Sequence, residues 1–247
     1  KCGNEAVCEF SFSISDGTGA CGNPTITVNG NILTDAGVGI SDVAVQIDVT
    51  PFVLSPFTLT KNTDAQGKYS FQVGSKDSYK ITPQRNDDYL NGVSTLDLVL
   101  INKHVLGLEP LNTPFKIISG DANSSRSVST FDIIELRKLI LGIYTTLPNS
   151  PSWRFVDENY LFSIPSNPFQ SIFPETINAS SPHPTSPVHD FTGTKIGDVN
   201  GNAIPNATEP DILERSGSSF FFDLADRQGE SGEVFTVPVK AATSVSG

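Results

Sequence analysis

Apolar and polar residues alternate through residues 24–83 as they do in strands. In Thr25-Ile-Thr-Val-Asn-Gly-Asn-Ile-Leu33 the pattern runs on both sides of Asn29-Gly30, a dipeptide that predicts a tight turn. Val43-Ala-Val-Gln-Ile-Asp-Val49 has an apolar residue at every second place. Phe57-Thr-Leu-Thr60 and Lys68-Tyr-Ser-Phe-Gln-Val73 follow, separated by the turn Asp64-Ala-Gln-Gly67, and Tyr79-Lys-Ile-Thr-Pro83 closes the set. Short strands with tight turns predict a small β-sandwich.

The period changes over residues 84–146, and the chain repeats itself. Val93-Ser-Thr-Leu-Asp-Leu-Val-Leu-Ile-Asn-Lys-His-Val-Leu-Gly-Leu108 aligns with Val128-Ser-Thr-Phe-Asp-Ile-Ile-Glu-Leu-Arg-Lys-Leu-Ile-Leu-Gly-Ile143, 35 residues further on. Each copy opens on Ser-Thr, a helix N-cap signal, and closes on Gly107 or Gly142, a C-terminal stop. Leu98, Ile101, Val105 and Leu108 share one helical face, as do Ile133, Leu136, Ile140 and Ile143. Two amphipathic helices are expected to bury these stripes against each other, since neither would be stable alone at this length.

Residues 147–217 read as an extended loop rich in Pro. Trp153, Phe155, Tyr160, Phe162, Phe169 and Phe173 are too many rings for a disordered linker, so the segment is expected to drape over its neighbours and pin itself with them. Strand alternation returns over 218–247, the edge of a further β-domain, and residues 1–23 read as the end of a preceding one. The fold class expected is mainly β and multidomain, with a small α-helical pair.

Composition narrows the function. With 16 Lys and Arg against 27 Asp and Glu, the net charge of -11 leaves no basic footprint for nucleic acid. No apolar run is long enough to span a membrane. Cys2, Cys8 and Cys21 match no zinc pattern. They read as one disulfide with a thiol left over in an oxidising compartment; three buried thiols are the other reading. His104, His183 and His189 form no nucleophile or metallohydrolase motif, and catalysis is not expected.

The acidic and amide residues are spaced for calcium. A calcium loop offers oxygen ligands from positions 1, 3, 5, 7 and 12, with a backbone carbonyl at 7. Before the second helix Asp121, Asn123, Ser125, Ser127 and Asp132 fill those places. Before the first, Asn86, Asp88, Leu90, Gly92 and Asp97 do so, although Leu90 has only a carbonyl to give. A third loop has Asp198, Asn200, Asn202, Ile204 and Glu209 in the same register. In each case the alternative is an Asx-rich turn without metal.

A duplicated loop and helix with D-x-N at its head, Asp at position 12 and Leu-Gly at the helix end resembles a type I dockerin. The preceding order (G-x-I, G-I-x-x-V-x-V, T-x-x-x-G-x-Y-x-F, Y-x-I-x-P) resembles transthyretin-like modules of bacterial surface proteins, of the carboxypeptidase-regulatory or Cna B type. Residues 218–247 resemble the opening strands of a cohesin-like β-sandwich. Together they resemble the very large secreted surface proteins of Bacteroidota. The resemblance implies Ca2+ as cofactor, a bacterial cell-surface location and a mechanical or adhesive task in a stalk, adhesin or appendage. Partners would be neighbouring β-domains of the same chain, or further copies in a homo-oligomer or filament. A cohesin-like domain, read by Thr95, Leu96, Thr130 and Phe131, or a glycan stacked on the rings of 153–173, would be the alternative partners.

Overall fold

The structure is a computed structural model that describes residues 23–52, 54–181, 183 and 185–206, and the backbone of 221–223 and 240–242. The chain divides into two units, Lys1–Asn206 and Ala207–Gly247. In the second, β9 (Phe221–Asp223) and β10 (Lys240–Ala242) pair antiparallel. The cysteines and residues 1–22 lie outside the described residues, as does most of 218–247.

In the first unit, β1 (Thr25–Thr34) runs straight through the dipeptide expected to turn. Its first part pairs antiparallel with β4 (Lys68–Gly74), while Ile32–Thr34 pair parallel with β8 (Phe191–Lys195). Gly30 is there for close approach: an added Cβ would lie 2.0 Å from the His189 carbonyl oxygen and 2.4 Å from the Tyr69 ring. The segment before β8 lies along β1, with Asn29 N donating to Pro187 O at 3.0 Å and His189 N to Asn29 O at 2.9 Å.

The other expected strands form as read: β2 (Ala44–Thr50), β3 (Phe57–Asn62), β4 and β5 (Ser78–Gln84). They do not complete a sandwich alone. The first sheet has the order β4-β1-β8-β6 and the second β3-β2-β5-β7, where β6 is Trp153–Asp157 and β7 is Ile177–Ala179. Three strands therefore come from the stretch read as loop. Their signal is weak: β7 is three residues long, and β8, Phe191-Thr-Gly-Thr-Lys, holds one apolar side chain.

The sheets share one core. Ile26, Val28, Ile32, Phe71, Phe155 and Phe191 of the first meet Val45, Ile47, Val49, Tyr79 and Ile81 of the second. Inward positions alternate with outward ones along β1, β2, β4 and β5, as a sandwich requires, while β3 is exposed at every position. The described residues of the first unit are thus mainly β, with two four-stranded sheets and three short α-helices.

The helices build a second core. Both α1 (Thr95–Val105) and α3 (Thr130–Ile140) begin with a capping box, Ser94 with Asp97 and Ser129 with Asp132. A further helix, α2 (Pro114–Gly120), starts at the Thr113 cap with Pro in its first turn. Ile101, Ile118, Ile133, Leu136 and Leu139 pack with Val156, Phe169, Phe173, Ile196 and Val199. Leu108 and Ile143 fall outside the core, at 74% and 66% exposure, because each follows a left-handed glycine that turns the chain away. The helices are joined to the first sheet through β8, where Ser119 and Thr194 hydroxyls lie 2.6 Å apart.

The rings of 153–173 are mostly inside. Trp153 and Phe155 belong to the sandwich core and Phe169 and Phe173 to the helical one, with Tyr160 and Phe162 packed against it. The exposed row of rings that a glycan platform needs is not formed by these six. Among the described residues no helix is long and apolar enough to cross a membrane.

Candidate metal centres

The second sequence loop folds as one cradle. Asp121 stands just beyond α2, and its side chain is held by the loop's own backbone. Its Oδ1 accepts from Ser125 N at 2.8 Å and its Oδ2 from Arg126 N at 2.9 Å. Asn123 Oδ1 accepts from Ser125 N at 2.9 Å. From α3, Asp132 closes the loop: its Oδ1 accepts from Asn123 N at 3.2 Å while its Oδ2 caps Ser129 N at 2.8 Å. Ser125 Oγ donates to Ser127 O at 3.2 Å. Ser124 and Arg126 take positive φ values of 56° and 64°, the left-handed curl that lets a short loop wrap a centre.

Asp121 and Asp132 are both fully buried. Burial pushes the Asp121 carboxyl up from its ordinary range, the amides of Arg126 and Ser125 oppose this, and repulsion from Asp132 adds to it. Among the described residues no Lys, Arg or His is ion-paired with either.

The first sequence loop is not gathered in this way. Asn86 Oδ1 accepts from Tyr89 OH and, at 2.9 Å, from Ser152 N. Asp88 is exposed, and Leu90 is half exposed. Gly92 sits at φ 75° with no room beside it: a Cβ would meet the backbone of Ala203 at 2.7 Å. Asp97 caps α1 through Oδ2, 2.8 Å from Ser94 N, but turns Oδ1 to a different loop. That oxygen accepts from Val199 N at 3.0 Å and Asn200 N at 3.3 Å.

The third loop thus meets the first helix. Asp198 Oδ1 accepts from Asn202 N at 3.2 Å and Gly201 N at 2.7 Å, and its Oδ2 from Ala203 N at 2.8 Å. Asn200 Oδ1 accepts from Asn202 N at 3.0 Å. Asp198 is 5% exposed and Asp97 fully buried. Burial raises the Asp198 carboxyl against the pull of the Ala203 and Gly201 amides, and the charge of Asp97 raises it further. Ile204 has its carbonyl tied to the Asn91 amide at 2.8 Å, and Glu209 lies outside the described residues. The sequence reading missed the meeting of Asp97 with Asp198, because their loops lie 101 positions apart and no local pattern links them.

Among the described residues no three His, Cys, Asp or Glu side chains cluster. The Asp121 pairing instead offers two carboxylates with amide, hydroxyl and carbonyl oxygens, and the Asp198 pairing two carboxylates with amide oxygens. That set suits a hard divalent cation, whose charge two carboxylates balance, and sits at the weaker end of calcium affinity by ligand charge.

No protein-family model matches the chain, and no curated protein matches it. Among solved structures, part of the chain is similar to the C-terminal fragment of pilus adhesin SpaC from Lactobacillus rhamnosus GG. The sequences are 13% identical, the TM-score is 0.20, and the match covers 27% of this chain and about a quarter (25%) of that one.

Proposed function

We propose that the chain is a non-catalytic structural and adhesive segment of a large secreted bacterial cell-surface protein, in which Ca2+ stiffens a dockerin-like helical pair seated on a transthyretin-like sandwich. The observation that carries this reading is the pair Asp121 and Asp132, two fully buried carboxylates aimed into one loop, with no ion pair to either among the described residues and Arg154 acting on Asp121 only through its field. Two buried like charges, compensated by amides and not by an ion pair, oppose folding, and a divalent ion would reduce that penalty and cross-link α3 to the end of α2. A non-catalytic assignment is supported by the histidines, each tied into the fold. His104 Nδ1 accepts from Leu111 N at 3.1 Å, His183 Nε2 lies 2.6 Å from Asp77 O, and His189 Nε2 lies 2.9 Å from Tyr79 OH.

Thermal unfolding of the chain in excess calcium and then in chelator tests the reading. At calcium a thousandfold above Kd, a site gains about 4 kcal/mol, which chelation should remove and Asp132→Asn should abolish. Equal melting with and without chelator would leave the loops as helix-capping turns.

A second reading, docking of a cohesin-like partner, is favoured by Leu96 and Phe131. They occupy equivalent places in the repeat and are 55% and 68% exposed. Alanine at both would then abolish capture of a cohesin probe without changing stability.

A further inference from the structure

Independently of the metal loops, we propose that the open edge of the sandwich at β3 is a docking site for residues 8–15 of this same chain, added as a strand antiparallel to β3. β3 is the outer strand of its sheet, and among the described residues no strand pairs with its far side. Its register places Phe57 opposite Val49 and Leu59 opposite Ile47, so all four face the core. Val49 and Ile47 are buried at 1% and 0% exposure, whereas Phe57 and Leu59 are each 40% exposed. The core is therefore uncovered along this edge. Phe52 and Leu54, just before it, are 70% and 76% exposed. An edge with free backbone groups and apolar side chains attracts another strand unless charge, Pro or a bulge blunts it. β3 has no Pro, its pairing with β2 is unbroken, and Lys61 is its one charge. That ammonium is turned to Ser70 O at 2.9 Å.

The point where the chain enters the unit identifies what covers the edge. Asn23 Nδ2 donates to Asp77 Oδ1 at 2.6 Å, and Phe52 N donates to the same oxygen at 3.0 Å. The chain thus enters beside Phe52, in the connection that leads into β3. Upstream, outside the described residues, lies Cys8-Glu-Phe-Ser-Phe-Ser-Ile-Ser15, with Phe10, Phe12 and Ile14 at every second place. Such alternation suits a strand with one buried face. The seven residues 16–22 that join it to Asn23 include Gly17, Gly19 and Gly22. At full extension they reach about 23 Å, ample for a neighbouring strand about 5 Å from β3.

Entering at the Phe57 end, the segment runs back along β3. Ile14 and Phe12 then cover Phe57 and Leu59, and Phe10 lies towards Lys61. Glu9 is the one charge of the segment and is opposite in sign to Lys61. A strand from a second copy has the same face but lacks the tether, which gives the chain's own segment an effective concentration on the order of millimolar. On this assignment residues 8–15 complete this sandwich and do not close a preceding domain.

Hydrogen–deuterium exchange, read by NMR on the full chain, tests the docking. The β3 amides that face away from β2 should exchange about a hundredfold slower than in a free peptide. Phe12→Ser should speed them about tenfold while the α3 amides of Leu136 and Leu139 keep their rate. Fast exchange in the wild type overturns the proposal, as does slow exchange that Phe12→Ser leaves unchanged. Slow exchange that is lost on dilution overturns it in favour of a second copy. Should Phe12→Ser unfold the chain, seen as fast exchange in α3, the wild type decides alone. Nuclear Overhauser contacts from the outward β3 amides must then reach residues 8–15, and contacts only to other residues overturn the docking.

Discussion

The two loops reach one arrangement by different routes. Around Asp121 the leading acid, the turn and the closing acid follow one another in the chain, so α3 delivers Asp132 as soon as it starts. Around Asp198 the turn stands alone, and the closing acid arrives from α1. The first loop is set by local sequence and the second by tertiary packing. What the loops have in common is the set of amides that each carboxylate accepts. Spacing along the chain locates such a set only when its members are neighbours in sequence.

The widest separation between the two should come from Gly92. A Cβ there strikes the Ala203 backbone, and φ 75° strains any other residue. Gly92→Val should cost about 3 kcal/mol in urea unfolding and loosen the loop after β8, leaving the Asp121 loop intact. Gly107, at φ 68° with open space around it, is the control: Gly107→Ala should cost only about 1 kcal/mol. Equal costs at the two positions would mean that Ala203 does not dock.

Next in size is Lys195. Burial lowers its ammonium from 10.5 to about 8, with Asp88, Asp87 and Asp198 opposing the shift. Between pH 8 and 10.5 the folded chain therefore holds fewer protons than the unfolded one, and this group adds stability as pH rises through that window. The gain is on the order of 3 kcal/mol, and Lys195→Met should flatten the slope of unfolding free energy against pH. An unaltered slope would show that Lys195 is hydrated.

The smallest effect is expected where the two halves are alike. Leu96→Ser and Phe131→Ser alter exposed positions at the start of α1 and α3 and should each change stability by less than about 0.5 kcal/mol. A larger loss in either would mean that the side chain packs against something on this surface.

Legibility in the sequence followed the same division. β2 and β4 were readable because Val45, Ile47 and Val49, then Tyr69, Phe71 and Val73, face one core at a strict period of two. Both helix starts were readable because Ser-Thr marks an N-cap, while the capping role of Asp97 and Asp132 was hidden because the same acids fill position 12 of a calcium spacing. Asn29-Gly30 misled, since the same dipeptide that makes a hairpin also serves where Tyr69 and His189 crowd a strand. β6 to β8 were hidden because each is completed by partners far away: Trp153 is set by Lys195, Phe191 by Ile32, and Ile177 by Ile81. For α2, Thr113-Pro114 was the available sign, a cap followed by a residue suited to the first turn.

The parallel pairing of β1 with β8 has a mechanical consequence. Where the first and last described strands of a unit run side by side in one direction, tension applied before β1 and after β8 slides them past each other. Their hydrogen bonds, at Ile32–Thr34 and in the run from Pro187 to Asp190, are then loaded together rather than one at a time. Antiparallel terminal strands would peel open like a zipper. A segment built this way resists being drawn out along its length, and the loop beyond β8, fastened to α1 through Asp97, places a second catch in series with that shear.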